Sequence, residues 1–200
     1  MLKQFIASQF KKPRGPFGIF TSNLMVKANE MNYETMIEVL APEPQEKLLE
    51  IGYGPGAGIK MIADFCPGCT IDGIDFSNLM YKRARKFNKR YIEEGRVSLR
   101  YGDFLQFALP NNHYDKIFCL NVIYFWDELN APFTKAYSLL KEDGFFDIYM
   151  ADRKFLAEQK TPDSVFNKYS VDEVMEALKS VGFNKLDHIK NNGHFIFAQK

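Results

Sequence analysis

Apolar positions along this 200-residue chain recur in two rhythms that take turns. Short runs rich in Val, Ile, Leu and Phe predict strands near 47–51, 70–75, 96–101, 114–120 and 145–150. Between them, apolar residues recur at helical spacing. Ile59, Ile62, Ala63 and Cys66 mark a helix over 57–66, and Met80, Ala84, Phe87 and Tyr91 mark one over 78–93. Phe133, Ala136, Tyr137 and Leu140 mark a helix that starts near Asn130 or Pro132 and ends at Asp143-Gly144. Ser170-Val171-Asp172-Glu173 reads as a capping box opening a helix with Val174, Met175, Leu178 and Val181 on its buried stripe and Gly182 as its stop. Two β-like runs, 183–189 and 194–198, flank Asn191-Asn192-Gly193, a hairpin signal. Strand and helix alternating in this way predict an α/β domain with a parallel sheet and right-handed crossovers, closed by an antiparallel hairpin.

Ahead of the first strand, 21–40 read as one helix or two, with Leu24, Ala28 and Met31 on one side, Met36, Val39 and Leu40 continuing it, and Thr21 or Ser22 as cap. Pro42 and Pro44 end it. Leu2, Phe5, Ile6 and Phe10 share a face of a short segment flanked by Lys3, Lys11, Lys12 and Arg14, and Pro13, Gly15 and Pro16 break it. Residues 1–16 are therefore either an arm docked by its apolar face or a peripheral contact with an anionic membrane, and their shortness favours the arm. The predicted organisation is an N-terminal helical arm or lid over 1–45 and a main domain over 46–200.

Composition narrows the classes. The chain is 46% hydrophobic and 26% charged, with a net charge of +1, which makes no general case for nucleic acid. Residues 1–29 carry five basic and no acidic residues, so the remainder is net −4. Three cysteines give no disulfide framework and point to a reducing, cytoplasmic compartment. No run has membrane-spanning length.

The candidate chemistry sits at strand ends. Glu50 closes the first apolar run and Gly52, Gly54 and Gly56 alternate after it, a turn that lets backbone approach a ligand closely. Asp75 ends the second strand, 23 residues after Gly52, where a carboxylate can accept from both hydroxyls of a ribose; Asp75 or Ser77 can also cap the next helix. Gly102-Asp103-Phe104 follow the third strand and Asn121 the fourth. This ordered set resembles the motifs of class I S-adenosylmethionine-dependent methyltransferases over about 46–199. The resemblance implies a Rossmann-like seven-stranded, mostly parallel sheet with helices on both faces and a C-terminal antiparallel hairpin. It implies a methyltransferase that uses S-adenosyl-L-methionine and releases S-adenosyl-L-homocysteine. By it, Glu50, Gly52, Tyr53, Gly54 and Gly56 shape the methionine side. Asp75, Phe76 and Met80 hold the ribose side, Gly102, Asp103 and Phe104 the adenine, and Asn121 lies near the sulfonium. Helices ahead of the first strand cover the site in this family, which makes Phe17, Phe20 and Asn29 candidate lid residues.

The acceptor side is less legible. Tyr124, Phe125 and Trp126 either wall a pocket or belong to the core, and the aperiodic stretch 151–168 offers Asp152, Arg153, Phe155 and Phe166 as a substrate loop. Phe20, Asn29, Tyr124, Trp126 and Arg153 are the expected acceptor pocket, for a small-molecule or lipid-like substrate; no catalytic base is identifiable. Asn121 and Tyr124 share the spacing of the Asn/Asp-Pro-Pro-Tyr motif of nucleic-acid amino methyltransferases, but both prolines are missing. Cys66-Pro67-Gly68-Cys69 has redox spacing at a helix end and reads as structural. His113, His188 and His194 are scattered, so no metal is expected, and no nucleophile-elbow motif is present. Two rival readings remain: an NAD-dependent dehydrogenase, which leaves Glu50 and Asp103 without a role, and a non-catalytic nucleoside-binding domain of the same fold.

Overall fold

The computed structural model describes residues 15–158 and 166–200. The expectations for residues 1–14 therefore lie outside the described residues, as do the side chains of Phe17, Thr21, Ser22, Leu24 and Ala28. Helix α1 (Gly15–Leu40) leads into β1 (Lys47–Ile51), α2 (Ala57–Phe65), β2 (Thr70–Asp75), α3 (Asn78–Phe87), α4 (Lys89–Glu93) and β3 (Val97–Tyr101). Then come β4 (Tyr114–Leu120), a 3₁₀ turn (Ile123–Phe125), α5 (Asn130–Leu139), β5 (Leu140–Met150), α6 (Arg153–Glu158), α7 (Val171–Val181), β6 (Lys185–Lys190) and β7 (His194–Gln199).

The strands form one seven-stranded sheet in the order β3-β2-β1-β4-β5-β7-β6. The first five in that order pair in parallel, and β7 runs antiparallel between β5 and β6. Side chains alternate across the sheet into two cores. Leu48, Phe118 and Leu120 meet Tyr33, Met36 and Ile37 of α1 and Ile59 and Ile62 of α2 on one face. Leu49, Ile117 and Cys119 meet Phe133 and Ala136 of α5 and Val174 and Leu178 of α7 on the other. The hairpin closes at Asn192 (φ 50°) and Gly193. Ser170 and Glu173 form the reciprocal capping box at α7.

The structure corrects several element expectations. α1 begins at Gly15, with Pro16 in its first turn where a missing N–H costs nothing. Its buried stripe is Tyr33, Met36, Ile37 and Leu40, and Met31 is exposed. The single helix expected over 78–93 is two, hinged at Asn88; Asn88 is fully buried, and Phe87 faces solvent. Leu140 opens β5 instead of closing α5, because pairing with Tyr114 places it in the sheet ahead of a register shift that absorbs Asp143-Gly144. Part of the aperiodic stretch is helical, as α6. Cys66 and Cys69, expected to stay unbridged, form a disulfide, since the turn after α2 brings their Cα atoms to 5.5 Å. No described helix is long and apolar enough to cross a membrane.

Candidate functional site

β1 and β4 are neighbours, but the chain leaves β1 toward β2 and β3 on one side and β4 toward β5 on the other. Such a switch point leaves a crevice beyond the strands' carboxyl ends. Here it is a cleft of about 810 Å³ lined by the turns after β1, β2, β3 and β4, by α1 and by residues 149–156.

The glycine turn forms one wall. Gly52, Gly54 and Gly56 all have left-handed backbone, with φ of 74°, 54° and 85°. A Cβ on Gly52 would stand 2.4 Å from Val122 Cγ2, and one on Gly56 2.5 Å from Asn88 Nδ2. A Cβ on Gly54 would meet nothing within 4 Å. The outer glycines are thus required by packing, while the middle one keeps an open space beside the cleft free of side chain. Asn88 locks the turn: its Nδ2 donates to Gly56 O at 2.9 Å and to Ala84 O at 3.0 Å. The sequence offered a signal for Asn88, a polar residue continuing the Met80–Ala84 stripe at i+4, but the stripe was extended to Phe87 instead.

Asp75 ties the turn to the end of β2. Its Oδ2 accepts from Gly54 N at 2.9 Å and its Oδ1 from Ser77 N at 2.7 Å. Ser77, not Asp75, caps α3, accepting from Met80 N. Burial pushes the Asp75 carboxyl up to about 6, and the two backbone donors pull against that shift. Each Asp75 oxygen keeps a lone pair for a further donor. Asp103 is exposed at the cleft edge, where its Oδ1 accepts from Leu105 N at 2.8 Å. Phe104 is buried beside it, and Phe76 and Met80 complete this wall. Tyr53 is buried and lines the floor, its Oη donating to Arg100 O at 3.0 Å.

Glu50 lies fully buried on the α1 face of the sheet. Its Oε1 accepts from Tyr33 Oη at 2.7 Å, and its Oε2 has no partner among the described residues. Burial raises its carboxyl to about 8, opposed by the Tyr33 hydrogen bond. Sequence reasoning missed Tyr33. It follows from the 33, 36, 37, 40 spacing, and its ring fills the space that a Cβ on Gly58 would need.

Asn121 turns the chain after β4 with φ 57°. Its Nδ2 donates to Asn29 Oδ1 at 3.0 Å, and Tyr124 Oη donates to its Oδ1 at 2.9 Å. Tyr124, Phe125, Trp126, Phe155 and Phe166 all line the cleft, and Tyr124 is also core. Two expected pocket residues do not join it. Arg153 is exposed and pairs with Glu173 at 3.8 Å, drawn to the cap of α7. Phe20 is 59% exposed and stands six residues, about 9 Å of helix, ahead of Val26, the first described α1 side chain on the cleft. Among the described residues no cluster of His, Cys, Asp and Glu could hold a metal ion.

The fold is a Rossmann-like seven-stranded α/β sheet with a cleft at its switch point. Residues 48–144, just under half of the chain, match the family model described as methyltransferase domain, and the fold is shared with solved S-adenosylmethionine-dependent methyltransferases. It is 26% identical over 151 residues to sterol 24-C-methyltransferase ERG6 of Saccharomyces cerevisiae, a match covering 70% of this chain and 39% of that one. The chain thus spans about two-fifths of the length of the curated relatives it matches. Among solved structures it is similar to Haemonchus contortus phosphoethanolamine N-methyltransferase 2 in complex with S-adenosyl-L-methionine (TM-score 0.72, 16% identity, 84% of this chain and 52% of that one). It is similar in fold also to the [4+2]-cyclase SpnF (TM-score 0.73, 15% identity, 87% and 81%). The fold alone therefore does not fix the reaction.

Proposed function

We propose that this chain binds S-adenosylmethionine in the cleft and transfers its methyl group to a small, lipid-like acceptor. The observation that carries the reading is the convergence of Gly54, Asp75 and Asp103, from three strand ends, on one cleft with an unpartnered carboxylate oxygen of Glu50 behind it. These residues suit the cofactor's chemistry. Asp75 accepts from the ribose hydroxyls, and Asp103 accepts from the adenine amine through its Oδ2 while Phe104 supports the ring. The space beside Gly54 admits the aminoacyl chain, and Glu50 faces the charge of its ammonium group. The nicotinamide alternative gives Glu50 no such partner. The match to sterol methyltransferases favours a lipid-like acceptor.

When bound, S-adenosylmethionine supplies an activated methyl on a sulfonium sulfur. The chain's work is then placement. Holding acceptor and donor in line is worth roughly 7–11 kcal/mol of barrier. Asn121 and Tyr124 stand at the seam between the nucleoside wall and the aromatic wall, where they orient the accepting atom. The cytoplasmic setting expected from the cysteine count belongs to this reading, although the disulfide weakens that basis.

Calorimetric titration with S-adenosylmethionine, S-adenosylhomocysteine and NAD tests binding, and incubation with labelled S-adenosylmethionine and a lipid extract tests transfer. The expected result is binding of the first two and a labelled lipid. Binding of NAD alone overturns the reading, and tight S-adenosylhomocysteine binding with no labelled product leaves a nucleoside-binding domain instead.

A further inference from the structure

The two halves of the cleft differ in charge. Among the described residues the acidic lining residues are Asp75 and Asp103, and both stand on the wall proposed for the nucleoside. The remaining wall carries Val26, Met31, Phe125, Trp126, Phe155 and Phe166, and among the described residues neither a lysine nor an arginine lines the cleft. An anionic group entering this half would lose its hydration with no cation among the described lining residues to meet it, and it would face the carboxylates of the other wall. A cationic group would lose its hydration against rings, with both carboxylates already engaged by backbone donors and assigned to the nucleoside.

Two polar features interrupt the apolar half: Asn192, whose Nδ2 donates to Met31 Sδ at 3.6 Å, and a larger network that ends at Asn29. The Ala151 N–H donates to Tyr124 Oη, which donates to Asn121 Oδ1; Asn121 Nδ2 then donates to Asn29 Oδ1. Asn32 Nδ2 also reaches Asn29 Oδ1, at 3.4 Å. Every donor in this chain points toward Asn29, so both acceptor sites of its Oδ1 are engaged. Its Nδ2 donates to no described residue, and Asn29 itself lines the cleft. An amide N–H₂ offers a hydrogen bond to an uncharged oxygen without demanding a counter-charge.

Resting on the methyltransferase reading, we infer that the acceptor is an electrically neutral, largely apolar molecule whose single polar oxygen is held by Asn29, which makes Asn29 a specificity residue. The apolar body lies against Phe125, Trp126, Phe155 and Phe166. The chain of hydrogen bonds that ends at Asn29 Oδ1 holds its amide in one orientation, so the polar end of the acceptor fixes which atom reaches the seam at Asn121.

Trp126 is the chain's sole tryptophan and lines this half, so its emission reports occupancy. The test uses the full chain saturated with S-adenosylhomocysteine and titrated at pH 7.5 with geraniol, geranic acid, geranylamine and the hydrocarbon 2,6-dimethyl-2,6-octadiene. These share one apolar body and differ in the charge and polarity of the end group. The expected result is that geraniol binds about tenfold or more tighter than the acid, the amine or the hydrocarbon, a gap of about 1.4 kcal/mol. In Asn29→Leu the advantage over the hydrocarbon disappears, while S-adenosylhomocysteine titration verifies that the variant is folded. Acid or amine binding as tightly as geraniol overturns the inference. So does geraniol leaving Trp126 emission unchanged, or keeping its advantage in a folded Asn29→Leu. Failure of S-adenosylhomocysteine to bind at all fails the methyltransferase reading itself and takes this inference with it.

Discussion

Replacing Glu50 by Gln separates the role proposed for the buried carboxylate toward the cofactor from what that carboxylate costs the fold. Glu50 is fully buried with one oxygen bonded to Tyr33 and the other unpartnered, and burial raises its carboxyl from 4.5 to about 8. The folded chain thus keeps a proton that the unfolded chain releases near pH 4.5. Folding takes up that proton between the two values, so stability falls as pH rises through the window, by up to ~1.4 kcal/mol per pH unit. Across the window this amounts to about 5 kcal/mol, fully lost above pH 8. Gln keeps an acceptor for Tyr33 Oη and cannot ionise, so the variant lacks that slope. The expected outcome in urea denaturation without ligand is that Glu50→Gln matches the wild type near pH 5 and exceeds it by a few kcal/mol near pH 8. Slopes from Asp75 and Asp147, both raised by burial, to about 6 and about 7, are shared by the two proteins and cancel in the difference. Calorimetry should show the opposite ranking for the cofactor product. A hydrogen bond to a charged group is worth ~1.5–3 kcal/mol, so affinity for S-adenosylhomocysteine falls roughly 10- to 100-fold. Parallel pH–stability curves for the two proteins, or a variant less stable at pH 8, would refute the reasoning.

Three further outcomes follow from the same geometry. Asp75→Asn leaves one of two backbone N–H groups without an acceptor, so stability drops by ~1–3 kcal/mol in urea titration. Affinity for S-adenosylhomocysteine falls as well, and the wild-type loss of affinity as pH drops through about 6 is absent in the variant. Asn88→Ala frees the carbonyl of Gly56 from its buried donor; cofactor affinity declines in calorimetry although Asn88 does not line the cleft, and melting occurs several degrees lower. Gly54→Ala strains a left-handed position by ~1–2 kcal/mol and places a methyl in the open space beside the turn. Its expected signature is a loss of S-adenosylhomocysteine binding larger than that strain accounts for, measured beside thermal stability.

The parallel sheet was legible because each strand is a short apolar run and each intervening helix carries its own stripe, and the hairpin because Asn191-Asn192-Gly193 encodes its turn. Most of the residues proposed for the cofactor meet in one cleft because they sit at strand ends and fall in chain order, while Glu50 and Gly56 are not among its lining residues. Tertiary partners explain the misses. Tyr33 matters because Glu50 and Gly58 meet it from distant parts of the chain. Asn88 gains its role only from the carbonyl of Gly56, brought to it from a turn 32 residues away in the chain. Arg153 looked like an acceptor contact until Glu173 claimed it. Leu140 has the spacing of a helix face, and only its pairing with Tyr114 turns it into strand.

The measurement that bears most directly on the whole account is a crystal structure of the protein grown with S-adenosylhomocysteine. The account predicts the ribose on Asp75, the adenine between Asp103 and Phe104, and the aminoacyl chain in the space beside Gly54. A nucleoside bound anywhere else, or crystals whose cleft holds no ligand at saturating concentration, would contradict it.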